Sequence, residues 1–153
     1  MMKTDSYKNV KFRFSNETGV TICEMKYNNQ DFTAMAVCAP EDEDMLNEKT
    51  GQEIAFNRAC VKVLQYEKQR LKTENDGLKS FYYSIKHSKK FNPKSYEAKM
   101  LMHQINIREQ DIAELKTEIK ELKDYIKRYV DKKDEFYKDL RRIREKSALE
   151  QGQ

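Results

Sequence analysis

Hydrophobic positions along the chain follow two different periods, and the change comes near Pro40. Before it, apolar and polar residues alternate: Val10, Phe12 and Phe14 are separated by Lys11 and Arg13. A period of two marks a half-buried strand, because successive side chains point to opposite faces. Residues 20–27 and 32–38 have similar strand character. Turn formers separate the three segments, Asn16-Glu17-Thr18-Gly19 in the first gap and Asn28-Asn29-Gln30-Asp31 in the second. The pattern predicts a three-stranded antiparallel meander. So small a sheet needs a helix across one face.

After Pro40 the apolar positions recur at alternating steps of three and four. The first series is Ile54, Asn57, Val61, Leu64, Lys68, Leu71, Asn75, Leu78, Tyr82 and Ile85, with two asparagines and a lysine as the polar members. Gly77 lies inside it as a weak point, since glycine costs about 1 kcal/mol relative to alanine, and the sequence leaves open whether the helix breaks there. A second, stronger series runs through Ala98, Leu101, Ile105, Arg108, Ile112, Leu115, Ile119, Leu122, Ile126, Tyr129, Lys133, Phe136, Leu140 and Ile143. Only Arg108 and Lys133 interrupt it. A heptad register held this long predicts a coiled-coil helix, a rod of about 80 Å at 1.5 Å per residue.

The fold class that follows is α+β. A small three-stranded antiparallel sheet packs on a helix, and a long antiparallel coiled-coil helical hairpin follows. The expected organisation is a β-β-β-α module over residues 1–60 and the hairpin over 45–147. Within it, helices span about 45–87 and 93–147 around a corner at 88–93, and a disordered tail covers 148–153. Pro40 and the acidic run behind it suit a helix start, where carboxylates meet the positive end of the dipole. Asn92-Pro93 reads as a cap and first-turn proline for the second helix. The Ile/Leu alternation in Ile112, Leu115, Ile119 and Leu122 is also that of parallel two-stranded coils, so a homodimer through the C-terminal helix is a second expectation.

Composition agrees with long helices rather than a large globule. Of the 153 residues, 38% are hydrophobic and 37% charged, with only 4 glycines and 2 prolines. The net charge of +4, from 30 basic and 26 acidic residues, is too small to argue for nucleic acid by itself. The 3 cysteines lack paired spacing and read as reduced thiols of an intracellular, cytoplasmic protein. No apolar run long enough for a membrane span is present, so no membrane partner is expected.

Candidate chemistry is sparse. Only His87 and His103 are available as imidazole bases, and neither belongs to a nucleophile motif. There is no phosphate-binding glycine loop and no Cys/His metal spacing, so neither a cofactor nor enzymatic activity is expected. The acidic run at 41–44 lacks the spaced ligands of a calcium loop.

Two surface regions remain. The stretch FYYSIKHSKKFNPKSY, residues 81–96, contains no carboxylate. Phe81, Tyr82, Tyr83, Lys86, Lys89, Lys90, Phe91 and Lys94 there make a candidate partner-binding corner. It reads as a solubilised hairpin tip, a protein-docking tip whose aromatics serve as anchors, or a platform for stacking bases. The second region lies near the end of the chain. Its candidate phosphate contacts are Lys127, Arg128, Lys132, Lys138, Arg141, Arg142 and Arg144. A salt-bridged coiled-coil face accounts for the same residues.

Residues 19–66 carry a resemblance. Tyr27, Phe32, Ala36, Cys38, Pro40, Glu41 and Asp42, followed by Gly51, Ile54, Ala55, Arg58 and Ala59, are similar to a module of uncharacterised small phage and prophage proteins of Gram-positive bacteria. The strand-strand-strand-helix order also resembles a double-stranded-RNA-binding domain without its first helix. Such a domain opens its last helix with lysines that meet phosphates. Here that position carries Glu41, Asp42, Glu43 and Asp44, which repel phosphate, so RNA binding is not implied for this surface. The resemblance implies a phage setting rather than an activity. Together with the absence of a catalytic set and a rod decorated at both ends, it leads to the expectation of a non-enzymatic accessory protein that binds and inhibits or modulates a host or defence-system protein, anti-CRISPR proteins being one such class. The alternatives are a nucleic-acid-binding protein of phage replication or recombination and a structural coiled-coil dimer.

Overall fold

The computed structural model describes residues 8–38 and 44–152. Its elements are three strands, β1 (Lys8–Ser15), β2 (Val20–Tyr27) and β3 (Gln30–Val37), then two helices, α1 (Asp44–Lys86) and α2 (Tyr96–Gln151). The strands form one antiparallel sheet in the order β1-β2-β3. Two compact units result, residues 1–62 with 121–153, and residues 63–120.

The first unit holds the sheet, the start of α1 and the last part of α2. Tyr27 pairs directly with Gln30, so the second connection is a two-residue turn. Asn28 and Asn29 both have positive φ, 50° and 60°, as a turn matched to the twist of a hairpin demands. β3 therefore starts two residues before the expected position, and Gln30 and Asp31 are ladder residues rather than turn formers. The expected alternation of β1 is broken at one place. Between the pairs Lys8–Lys26 and Lys11–Glu24 the strand contains one extra residue, a bulge with Asn9 at φ 57°.

One face of the sheet is closed by Thr21, Cys23 and Met25 of β2 and Ala34 and Ala36 of β3, all buried. The residues that α1 buries in this unit include Gly51, Ala55 and Ala59, spaced four apart, so the helix presents a line of small side chains. A Cβ at Gly51 would fall on the Thr21 hydroxyl and lie 3.0 Å from its Cβ. The backbone of α1 at Gly51 therefore lies directly against the Thr21 side chain of β2. α1 also seals the outer edge of β3: Arg58 donates to the Met35 carbonyl at 2.9 Å, and Lys62 donates to that of Thr33. Covering an edge with side-chain donors prevents it from pairing with another strand. Thr50 of α1 and Tyr137 of α2 join their hydroxyls at 3.2 Å.

The second unit is an antiparallel helical hairpin. Ala98, Ile105 and Ile119 of α2 are buried, as are Val63 and Leu64 of α1. Lys79 and Glu109 tie the helices at 2.6 Å. Asn75 is 2% exposed in the seam, and Arg108 bonds Gln104 and reaches toward Glu74 at 3.6 Å. α1 passes through Gly77 unbroken.

Three further expectations are corrected. The residues taken for a disordered tail continue α2 as far as Gln151, because no breaker precedes Gly152. α2 starts at Tyr96, three residues after Pro93, since residues 92–95 form a turn of their own. The seven-residue repeat also loses phase along α2. Tyr137 is buried, whereas the heptad positions Phe136 and Ile143 are 44% and 65% exposed. A straight helix drifts by about 20° per heptad against a 3.5-residue repeat, and over several heptads the buried line moves to the next position. The acidic segment at 39–43 lies outside the described residues.

Candidate docking site at the helical corner

The corner is built by short-range hydrogen bonds. α1 ends at Lys86, and the Ser88 N–H closes a tight last turn onto the Ile85 carbonyl at 3.0 Å. The Phe91 N–H then bonds the Ser88 carbonyl at 3.1 Å. Asn92 opens a turn in which Pro93 occupies the second position, with Ser95 N–H bonded to the Asn92 carbonyl at 3.0 Å. The Asn92 side chain accepts from Lys94 N–H at 3.0 Å. Ser95 is the actual cap of α2: its hydroxyl accepts the Ala98 N–H at 3.2 Å, and its carbonyl accepts the first helical bond, from Lys99.

Rings at the corner divide into two kinds. Tyr82 and Phe91 are half-buried and meet edge-to-face with centroids 5.7 Å apart, so they hold the corner closed. Phe81 and Tyr83 project, at 58% and 65% exposure. They stand two residues apart on a helix, with the seam residue Tyr82 between them, and so occupy opposite flanks of α1. The candidate residues therefore do not form one patch. Tyr83 packs on His87 at 4.6 Å, one turn on, and Lys86 lies beside them on the same flank. Phe81 belongs to the other flank, where the Ser84 hydroxyl bonds its carbonyl at 2.7 Å. Tyr96 was not among the candidates, yet it is 74% exposed as the first residue of α2.

Lys86, Lys89, Lys90 and Lys94 are exposed and make no ion pair among the described residues. Lys79, the remaining lysine of this neighbourhood, is held by Glu109, and that bond raises its pKa.

The candidate phosphate contacts have different surroundings. Lys127, Arg128, Lys132, Lys138 and Arg142 are exposed on α2, but each has a carboxylate three or four residues away: Asp131, Glu135, Asp134 or Asp139. Arg142 reaches Asp139 at 3.8 Å, and Arg141 and Arg144 also have partners. Phosphates approaching this face would meet interleaved negative charge. Lys133 of the same stretch lies 5.6 Å from the Tyr129 ring centroid and 5.8 Å from that of Phe136. Tyr129 has a raised pKa, first through burial and then through the Glu53 carboxylate.

Among the described residues no group of three His, Cys, Asp or Glu side chains is placed to hold a metal ion, and no helix is long and apolar enough to cross a membrane. No protein-family model, curated protein or solved structure matches the chain.

Proposed function

We propose that this chain is a non-enzymatic phage accessory protein that docks on an acidic surface of a host or defence-system protein through its helical corner, and inhibits or modulates that protein. The observation that carries the proposal is the clustering around the corner of exposed rings on two flanks, Phe81 and Tyr83 at the end of α1 and Tyr96 at the start of α2, with Lys86, Lys89, Lys90 and Lys94, which make no ion pair among the described residues. Aromatic side chains are favoured interface anchors, and an uncompensated cationic rim steers an anionic partner. The phage setting rests on the sequence resemblance of residues 19–66.

The test compares pull-downs from host lysate with the intact protein and three variants: Tyr83→Ala, Phe81→Ala, and Lys86/Lys89/Lys90/Lys94→Glu. A partner captured by the intact protein is expected to be lost with the charge-reversed variant and with one of the two ring variants, which identifies the docking flank. Recovery of the same proteins by all four would overturn the proposal. Labelled duplex and single-stranded DNA and RNA serve as the counter-test: salt-sensitive binding to them would favour the nucleic-acid function instead. Light scattering reports whether α2 also joins two copies.

A further inference from the structure

The two edges of the sheet are treated differently. β3 is sealed by Arg58 and Lys62 of α1. β1 has no such cover: apart from its ladder with β2 and the Gly19–Ser15 turn bond, no hydrogen bond reaches residues 9–15 among the described residues.

Register decides which backbone groups of β1 face outward. The sealed carbonyls of Thr33 and Met35 belong to residues paired with Glu24 and Ile22, so those two β2 residues direct their own backbone groups toward β1. Their partners on β1 are Lys11 and Arg13. The intervening residues Phe12 and Phe14 therefore turn both N–H and C=O to the open edge. Their side chains lie on the helix-covered face, because Phe12 pairs with buried Cys23 and Phe14 with buried Thr21. Phe12 is nevertheless 38% exposed, since its row ends at the edge. The opposite face of β1 presents the exposed Lys11 and Arg13, the latter 3.4 Å from Glu24.

We propose that β1 is a strand-addition site for an extended segment of another protein in which apolar and acidic residues alternate. Such a segment would bond the backbones of Phe12 and Phe14, continue the Ala34–Cys23–Phe12 and Ala36–Thr21–Phe14 rows with its apolar side chains, and set its carboxylates beside Lys11 and Arg13. A second copy of this chain fits poorly. Antiparallel pairing of β1 with itself would place these cations opposite one another, and like charges directly across a ladder repel. The bulge at Asn9 ends the regular edge, so the site is confined to residues 11–15. This surface is distinct from the helical corner.

The probe is a fluorescent blocked heptapeptide of alternating glutamate and valine, titrated against the full-length protein, with a lysine–valine peptide as control. The glutamate peptide is expected to bind and the lysine peptide not. In amide-exchange NMR the Phe12 and Phe14 N–H groups, open in the free protein, gain protection on binding, while that of Arg13, already bonded to β2, is unchanged. Lys11→Glu/Arg13→Glu is expected to weaken the glutamate peptide by about tenfold and to admit the lysine peptide. Slow exchange of the backbone N–H at position 13 in that variant certifies that β1 is still paired. Phe12→Pro removes an N–H that faces solvent, which an edge strand tolerates, and abolishes binding of either peptide. Absence of binding, binding without protection at Phe12 and Phe14, indifference to peptide charge, or self-association lost on Phe12→Pro would each overturn the proposal.

Discussion

Replacing Gly51 with alanine is expected to destabilise the protein, although the same change in an open helix stabilises it. Gly51 lies inside α1, where alanine would gain about 1 kcal/mol of helix propensity. Against this, the new Cβ would overlap the Thr21 hydroxyl and sit 3.0 Å from the Thr21 Cβ. Thr21 is fully buried on the central strand, and its branched side chain has few rotamers to escape into. Helix or strand must shift, and overpacking of this kind costs about 1–3 kcal/mol. The net loss is therefore up to about 2 kcal/mol, read as a lower urea midpoint in far-UV circular dichroism at unchanged slope. Thr21→Ala removes the hydroxyl and a methyl group, so in the double variant the two changes are expected to couple favourably by about 1 kcal/mol. A Gly51→Ala protein more stable than the parent, or a cycle with no coupling, would refute the close approach of α1 to β2.

Gly77→Ala makes the converse case: nothing lies within 4 Å of its added Cβ, so a gain of about 0.5–1 kcal/mol is expected in the same denaturation assay. Ser95→Ala is expected to cost about 1 kcal/mol by removing the cap of α2, and Asn92→Ala less, which thermal melts of the two variants will rank. The Cys23 thiol is pushed up to about 11 by burial, then by Cys60 and Glu24. The unfolded chain ionises this thiol at lower pH than the folded one, so its contribution is intact below about pH 9 and lost as pH rises toward about 11. Denaturant midpoints measured across that window are expected to fall, and to fall less steeply in Cys23→Ala.

The strands were legible because burial on one face imposes alternation, and Asn28-Asn29 marked a hairpin because asparagine tolerates positive φ. The heptads likewise announced two helices. What stayed hidden has physical causes. The line Gly51, Ala55, Ala59 is weakly hydrophobic and signals proximity rather than apolar area, so a search for large apolar residues passes over it. The exchange of Phe136 for Tyr137 arises from the difference between 3.5 and 3.6 residues per turn, which grows along a helix of 56 residues. At the corner both Asn92 and Ser95 have the side chain of a cap, and the choice was made by the turn that Pro93 stabilises. The flanking positions of Phe81 and Tyr83 follow from helix geometry once Tyr82 is assigned to the seam. The open β1 edge required the full register of the sheet.

The Thr50–Tyr137 contact joins segments separated by 87 positions in the chain. Ribosomes deliver the strands first and residues 121–151 last, so the nascent sheet waits through the synthesis of both helices before its unit is complete. Closing so long a loop is slow relative to forming the local contacts of a helical hairpin. During that interval the side chains that bond the β3 edge among the described residues are Arg58 and Lys62. The two side chains that seal it emerge about 25 residues behind the strand they guard, which makes them a guard against co-translational misassociation as well as part of the finished fold.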